Sequence, residues 1–308
     1  MKHFSEEDVR QLLPMKHAVR CMREAFLAYG RGEAQNQPRR RLRLPNGSTL
    51  HSLAGAYGRY FGTKVYSTNP KHGAWFTVLL YDADTGRPLA QFEANYLGQI
   101  RTGAASGLAT DLLAPQDAAT LGVIGSGFQA RSQVEAIQTV RPIRFIRVWS
   151  RNDDKRRQFA EDISARLSIP VEAVRTANEV LEGIQILVTA TFAKDPVFDA
   201  AAVKAPLLIN AMGSNQKDRV EIPAGTVRQA SLLVADDVEQ CRIEAGDFVR
   251  ALDDAGWGRV ASLGQLLDAE DKGIPAATTG GVTIFKSVGL GLEDVAAAAY
   301  VYEKAAPS

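Results

Sequence analysis

The ten residues Leu121 to Ala130, LGVIGSGFQA, constrain the fold of this chain more than any other stretch. Leu121, Gly122, Val123 and Ile124 suit a strand buried on both faces, as in a parallel sheet covered by helices. Gly125 permits a tight turn, Gly127 removes a Cβ where the backbone would approach a ligand, and Ala130 takes the helix-packing place. A helix from Phe128 to about Thr139 then aims its free N–H groups and positive dipole end back at the turn. A second strand, Phe145 to Trp149, follows at the distance a βαβ unit requires. Glycine-rich turns are common, so the pattern gains its force from this context. It predicts a pyrophosphate site of a dinucleotide, formed by Gly125, Gly127, Phe128, Gln129 and Ala130.

The tip of the second strand bears on which dinucleotide. A carboxylate there holds a ribose 2′-hydroxyl, whereas a 2′-phosphate needs positive charge and neutral donors. The tip is Ser150-Arg151-Asn152. Arg151 can present a planar fork to a phosphate, which favours NADP(H), with NAD(H) as the alternative. The competing reading is that these residues cap the next helix, and Asp153 and Asp154 keep it open.

Composition sets limits on the rest. The chain has 308 residues, 45% hydrophobic and 23% charged, enough for two domains with substantial cores. With 36 basic against 35 acidic residues the net charge is +1, so no overall field favours nucleic acid as a partner. Cys21 and Cys241 are too few for a disulfide framework and, with four scattered histidines, give no metal-binding pattern. The N-terminal MKHFSEEDVR is charged throughout, unlike a signal peptide, and no run is long enough to span a bilayer. A cytoplasmic enzyme acting on a small molecule is the expectation.

The periodicity divides the chain into unlike parts. Ser5 caps a short helix, and Pro14 opens a longer one that buries Val19, Met22, Phe26 and Tyr29. The period then changes to two: residues 41–44, 49–56, 60–66, 75–81 and 89–93 are predicted strands of an antiparallel sheet. A helix from about Tyr96 to Leu113 leads into the glycine-rich turn. Beyond the first βαβ unit, apolar runs at residues 184–189, 207–211 and 232–235 continue a doubly wound α/β sheet. The closing helix, Glu293 to Lys304, has an alanine-rich face with Val295, Tyr300 and Val301 suited to pack on the first module. The expected fold is therefore α/β, a Rossmann-type parallel sheet (115–289) plus a second α+β domain (1–114 with 290–308).

Basic residues dominate the predicted α+β module. Arg39, Arg40, Arg41 and Arg43 form a dense cluster, which could be a solvated face. In an alternating strand, Arg41 and Arg43 share one face and Leu42 and Leu44 the other. Lys64 lies among apolar and small residues in a predicted strand, where an unpaired ammonium is costly to bury. Arg101 opens Arg101-Thr102-Gly103-Ala104-Ala105-Ser106, a helical segment so poor in bulk that a ligand can come close; a structural salt bridge is the alternative. Arg43, Lys64 and Arg101 have no nearby acid in sequence, and a substrate carboxylate is the simplest partner for them.

The chain resembles the ornithine cyclodeaminase and mu-crystallin family over nearly its full length. The resemblance is carried by Arg41-Leu42-Arg43, Gly62-Thr63-Lys64, Arg101-Thr102-Gly103-Ala104, the Gly125 turn with Phe128-Gln129-Ala130, Asn210 to Glu221, and Thr283-Ile284-Phe285-Lys286-Ser287-Val288-Gly289. It implies that Arg43, Lys64 and Arg101 hold the substrate carboxylate. It also implies that Thr102, Thr189, Ala190, Thr191, Ser287 and Gly289 lie against the cofactor, although each of Thr189 to Thr191 and Ser287 to Gly289 is equally well explained as a strand end. A homodimer joined through the antiparallel module is implied as well.

The family contains cyclodeaminases, amino-acid dehydrogenases and cyclic-imine reductases. Cyclodeaminases resembling this chain carry an Asp at the place of Asn215. An amide cannot take a proton near neutral pH, so it fails as the base of diamine cyclisation. Reduction of an imine asks only for orientation, a neutralised carboxylate and exclusion of water. The expectation is a ketimine reductase that converts Δ1-pyrroline-2-carboxylate to L-proline, and the six-membered homologue to L-pipecolate, with Lys64 and Asn215 at the reacting centre. An ornithine cyclodeaminase in which Asp218 replaces the missing acid, an amino-acid dehydrogenase and a non-catalytic ligand binder are the alternatives.

Overall fold

A computed structural model describes residues 1–274 and 280–305. Residues 306–308 of the predicted α+β domain and 275–279 of the predicted Rossmann domain lie outside the described residues. The chain divides into two compact units, residues 1–105 with 289–308 and residues 106–288.

In the first unit, strand β1 (Lys2–Phe4) precedes helices α1 (Glu6–Leu12) and α2 (Met15–Gly30). Ser5 caps α1 through a capping box with Asp8. Strands β2 (Gln35–Arg43), β3 (Thr49–Tyr57), β4 (Tyr60–Asn69), β5 (Gly73–Asp82) and β6 (Pro88–Glu93) follow in antiparallel succession. The sheet order is β1-β6-β5-β4-β3-β2, with β1 parallel to β6. The sheet is thus mixed rather than purely antiparallel, because three residues before the Ser5 cap are too few to show a period.

The closing helix, Gly291–Lys304, belongs to this unit and is buried along most of its length. It lies directly on β3: a Cβ on Gly55 would sit 2.5 Å from the backbone nitrogen of Leu292, and one on Gly291 would sit 2.5 Å from the Ala54 carbonyl oxygen. Two glycines facing each other therefore set a helix–sheet separation that no larger pair would allow.

In the second unit, the latter half of α3 (Asn95–Leu113) leads to β7 (Thr120–Ile124), α4 (Phe128–Val140), β8 (Phe145–Trp149) and α5 (Asp153–Leu167). Strands β9 (Val171–Ala173), β10 (Ile186–Thr189), β11 (Leu207–Ala211), β12 (Leu232–Ala235), β13 (Val260–Ser262) and β14 (Val282–Lys286) complete an all-parallel sheet of order β13-β12-β14-β11-β10-β7-β8-β9. The order reverses direction beside β7, the arrangement in which parallel sheets bind ligands at their carboxyl edge. The unit boundary falls inside α3, nine residues earlier than the punctuation at Ala114-Pro115 suggests. Arg141 explains the shift: its guanidinium donates to the carbonyls of Thr110, Asp111, Ala114 and Pro115, tying the last turns of α3 into the parallel unit.

Candidate active site

The first unit gathers buried charges around the start of the closing helix. Lys64 on β4 donates from Nζ to Oδ1 of Asp294 at 3.1 Å. Arg101 on α3 donates from Nε to the same oxygen at 2.9 Å and from Nη1 to Glu293 Oε2 at 2.7 Å. Arg39 on β2 donates to the Gly289 carbonyl at 3.0 Å and is close enough to Lys64 to repel its proton. Two glycines make room for the cationic heads. A Cβ on Gly98 would sit 2.6 Å from Lys64 Nζ, and one on Gly289, already at φ +78°, would sit 2.7 Å from Arg101 Nη1.

Two features differ from the sequence expectation. Lys64 and Arg101 do have acidic partners, Glu293 and Asp294, which lie 192 and 230 residues away along the chain from the cations they meet. The guanidinium of β2 that joins them is Arg39, whereas Arg43 is exposed at the strand's end. A register shift between Gln37 and Arg40 displaces the alternation there, as expected for a strand containing Pro38. The overlooked signal was Glu293-Asp294 itself, two acids just before the apolar, buried run 295–299 of the closing helix, which require partners.

Arg39, Lys64 and Arg101 thus gather beside Glu293 and Asp294. The electrostatics reflect the burial and the neighbouring charges. Burial, together with Arg101 and Arg39, lowers the Lys64 pKa to about 8 although Asp294 opposes the shift. Burial also disfavours the charged form of Arg101, but Asp294 and Glu293 outweigh it and hold the guanidinium protonated. Beside the cluster, burial and the guanidinium groups of Arg41, Arg39 and Arg43 lower His51 to about 4, so its imidazole is neutral at physiological pH.

The second unit supplies a turn with the properties a pyrophosphate requires. Gly125 has φ +116°, and a Cβ there would sit 2.5 Å from the Ala190 carbonyl oxygen, so no other residue fits. Gly127, the N-cap of α4, has nothing within 4 Å of a would-be Cβ and no side-chain cap, and the first turn of α4 carries no acid. Phe128 is exposed at the start of α4, Gln129 is half-buried and Ala130 is fully buried. This glycine cradle at the N-terminus of a thirteen-residue helix fits a dinucleotide phosphate.

At the tip of β8 both readings hold in part. Asn152 caps α5 by accepting from the Lys155 N–H, and the Ser150 hydroxyl donates to the Asn152 carbonyl while accepting from Ser126. Arg151 is exposed. Of the three residues, Arg151 is the one whose charge suits a 2′-phosphate.

Beyond β10 and β11 a buried network orders the adjoining loops. Glu221 accepts from the hydroxyls of Thr189 and Thr191 and from the N–H groups of Thr191 and Gly213. Asp247 accepts from the N–H groups of Glu221 and Ile222 and from Lys286 Nζ, which also donates to the Ser214 carbonyl. The hydroxyl protons of Thr189 and Thr191 are thus committed to Glu221, consistent with their reading as strand ends. Ser287 is buried at the end of β14, its N–H on the Ala211 carbonyl, and Ala190 bonds the Ile124 carbonyl. Thr102 donates its hydroxyl to Gly98 of its own helix. Asn215 is half-buried on the loop after β11, and Asp218 is exposed on the same loop. Among the described residues no helix is long and apolar enough to cross a membrane, and no group of three His, Cys, Asp or Glu could hold a metal.

Residues 2–308 match the ornithine cyclodeaminase/mu-crystallin family. A Δ1-pyrroline-2-carboxylate reductase of Bacillus cereus (strain ZK / E33L) is 37% identical over 231 residues, which is 74% of this chain and 70% of that protein. The solved structure of the Thermococcus litoralis Δ1-pyrroline-2-carboxylate reductase in complex with NADH and L-proline superposes with a TM-score of 0.92 at 32% identity, covering 99% of this chain and 97% of that one. An archaeal alanine dehydrogenase dimer with bound NAD gives 0.91 at 28% identity, covering 99% and 96%. By their names these relatives are oxidoreductases, and the two solved structures share this chain's fold over nearly its full length. The chain belongs to the ornithine cyclodeaminase/mu-crystallin family.

Proposed function

We propose that this protein reduces a small cyclic ketimine carboxylate with a nicotinamide nucleotide, Δ1-pyrroline-2-carboxylate to L-proline and the six-membered homologue to L-pipecolate. The observation that carries the proposal is the convergence of three buried cations, Arg39, Lys64 and Arg101, at the start of the closing helix. A carboxylate placed among such groups gains charge-assisted hydrogen bonds. Arg43, exposed at the end of β2, has a weaker claim to this role than Arg39.

The dinucleotide is held by the Gly125–Ala130 turn, and Arg151 favours NADP(H) over NAD(H). The bound nicotinamide supplies a hydride to the imine carbon. Lys64 and Arg101 orient the substrate carboxylate and fix which atom is presented. The substrate enters as the protonated iminium, so the C=N electron pair passes to a nitrogen that already carries its proton, and no base is demanded of the chain. Asn215 lines the pocket as a neutral hydrogen-bonding group. The proline bound by the Thermococcus litoralis relative supports this substrate class.

We also propose a homodimer. The outer face of the first unit's sheet exposes Leu42 and Leu50, directly opposed, and Trp75, which lies across Ser67 in the same row, at 62%, 45% and 61%, side chains suited to meet a second copy of the same surface. The archaeal alanine dehydrogenase relative is a dimer.

The decisive experiment offers the purified protein two substrate pairs. Consumption of NADPH with Δ1-pyrroline-2-carboxylate, with proline as product, is the expected result. Ammonia released from ornithine and NAD, without imine reduction, would replace it by the cyclodeaminase reading.

A further inference from the structure

The first unit holds a second cleft, which opens between α2, the closing helix and the hairpin joining β3 to β4, and measures about 500 Å3. Among the described residues that line it, none belongs to the charged cluster around Asp294. Cys21, Glu24 and Ala28 line it at helical spacing from α2, as Ala296, Ala299 and Glu303 do from the closing helix. Tyr57 and Tyr60 form the hairpin side. Close packing ordinarily fills a space of this kind, and volumes of about 300–1,000 Å3 are those in which proteins hold small ligands. Here Cys21, Ala28, Ala296 and Ala299 are small, so the two helices leave the gap open.

The lining is acidic. Glu24, Glu33 and Glu303 stand with Arg31 and Arg59, but Arg31 is exposed and Arg59 donates to Asp82, outside the cleft, at 2.8 Å. Glu24 lies 3.6 Å from Arg20 in an exposed pair of little energy. Glu303 accepts from the Tyr60 hydroxyl at 3.0 Å, which leaves a carboxylate with further lone pairs to offer. Burial, helped by Glu24 and Glu303, raises both the Cys21 thiol and the Tyr57 hydroxyl to about 12, so both stay neutral. A separate observation concerns the floor: Cys21, only 4% exposed, lines the cleft with a thiol that no described residue bonds. A polar atom held in this way favours an occupant that reaches it.

We infer that this cleft binds a short aliphatic ammonium ion, with a diamine held between Glu24 on α2 and Glu303 on the closing helix. The methylene chain lies over the small side chains, the Tyr57 oxygen accepts from the ligand, and the carboxylates form charge-assisted hydrogen bonds with it. An anion would meet three carboxylates and is refused. The closing helix carries Glu293 and Asp294 just before Ala296, so a ligand joining it to α2 stiffens the element that holds Lys64 and Arg101. The cleft is thus an effector site, and its binding step stands apart from the reaction proposed above.

Titration calorimetry on the purified protein at low salt tests it with putrescine, butylamine and butyrate. Putrescine should bind at a single site per chain, butylamine about tenfold more weakly and butyrate not at all. Glu303→Gln, which keeps an acceptor for Tyr60, should weaken putrescine about tenfold. Ala28→Leu, which fills the cleft, should remove the binding with melting temperature kept or raised. Binding unaltered in both variants would mean that amines merely adhere to an acidic surface, and would overturn the inference. So would the absence of heat with either amine up to about 10 mM, or the binding of butyrate instead. Saturating putrescine should also change KM for the imine several-fold in wild type and not in Ala28→Leu; an unchanged KM beside measured binding would overturn the effector role.

Discussion

Each unit of the molecule buries a lysine against carboxylates, and the two lysines are set in opposite directions. Lys64 in the first unit is lowered to about 8, because burial and the neighbouring Arg101 and Arg39 outweigh Asp294. Lys286 in the second unit is equally buried, but Asp247 and Glu221 overcome the burial and raise it. The first ammonium shares its carboxylate with a guanidinium, whereas the second bonds Asp247 and is attracted by Glu221 as well. The surrounding charges, not depth, set these directions. Lys286 joins Asp247 and the Ser214 carbonyl and so braces loops, whereas Lys64 is the lysine proposed to meet a substrate carboxylate.

The sharpest way to break this comparison is to delete each lysine. Lys286→Met should leave Asp247 as a buried, uncompensated carboxylate and cost about 3–5 kcal/mol in chemical denaturation, with the pair Lys286→Met/Asp247→Asn recovering much of it. A loss below about 1 kcal/mol would mean that the network does not brace the unit. Lys64→Ala should act on chemistry instead: kcat/KM for the imine falls roughly a hundredfold or more, while NADPH affinity is largely kept. Equal losses in both would erase the distinction between site and brace.

Titration sharpens the same contrast. The folded value of about 8 for Lys64 lies below its ordinary 10.5, so the unfolded chain binds more protons between those limits and stability from this group rises with pH across that window. Carboxylate binding runs the other way, because it needs the ammonium. KM for the imine should therefore climb above pH 8, up to about tenfold per unit, in wild type but not in Lys64→Ala. Lys286, being raised, gives no break near pH 8. The smallest effect concerns the rim of the second unit: Arg151→Asp should move the NADPH to NADH ratio of efficiencies several-fold toward NADH, and an unchanged ratio would show that the tip of β8 does not read the 2′ position.

Much of the fold was legible in sequence because its signals are local. The period-two runs, the Ser5 cap, the Pro14 start of α2 and the ten-residue turn at Gly125 are each written within one or two elements. Within the turn, even the need for Gly125 follows from chain geometry. The site was legible only in half. Lys64 and Arg101 stood out as cations that burial would penalise, but that Arg39 lies beside them while Arg43 is exposed depends on a register shift at Pro38 that no alternation rule places.

Sequence alone determined that a dinucleotide-type turn and a basic sheet module occupy one chain, since steric and periodic constraints act over a few residues. Only the tertiary structure decided what those cations meet. Glu293 and Asp294 arrive from the far end of the chain, carried by a helix that glycine-to-glycine contact seats on β3. Electrostatics inside a protein is a property of distance in space, and sequence separations of 192 and 230 residues carry no record of it.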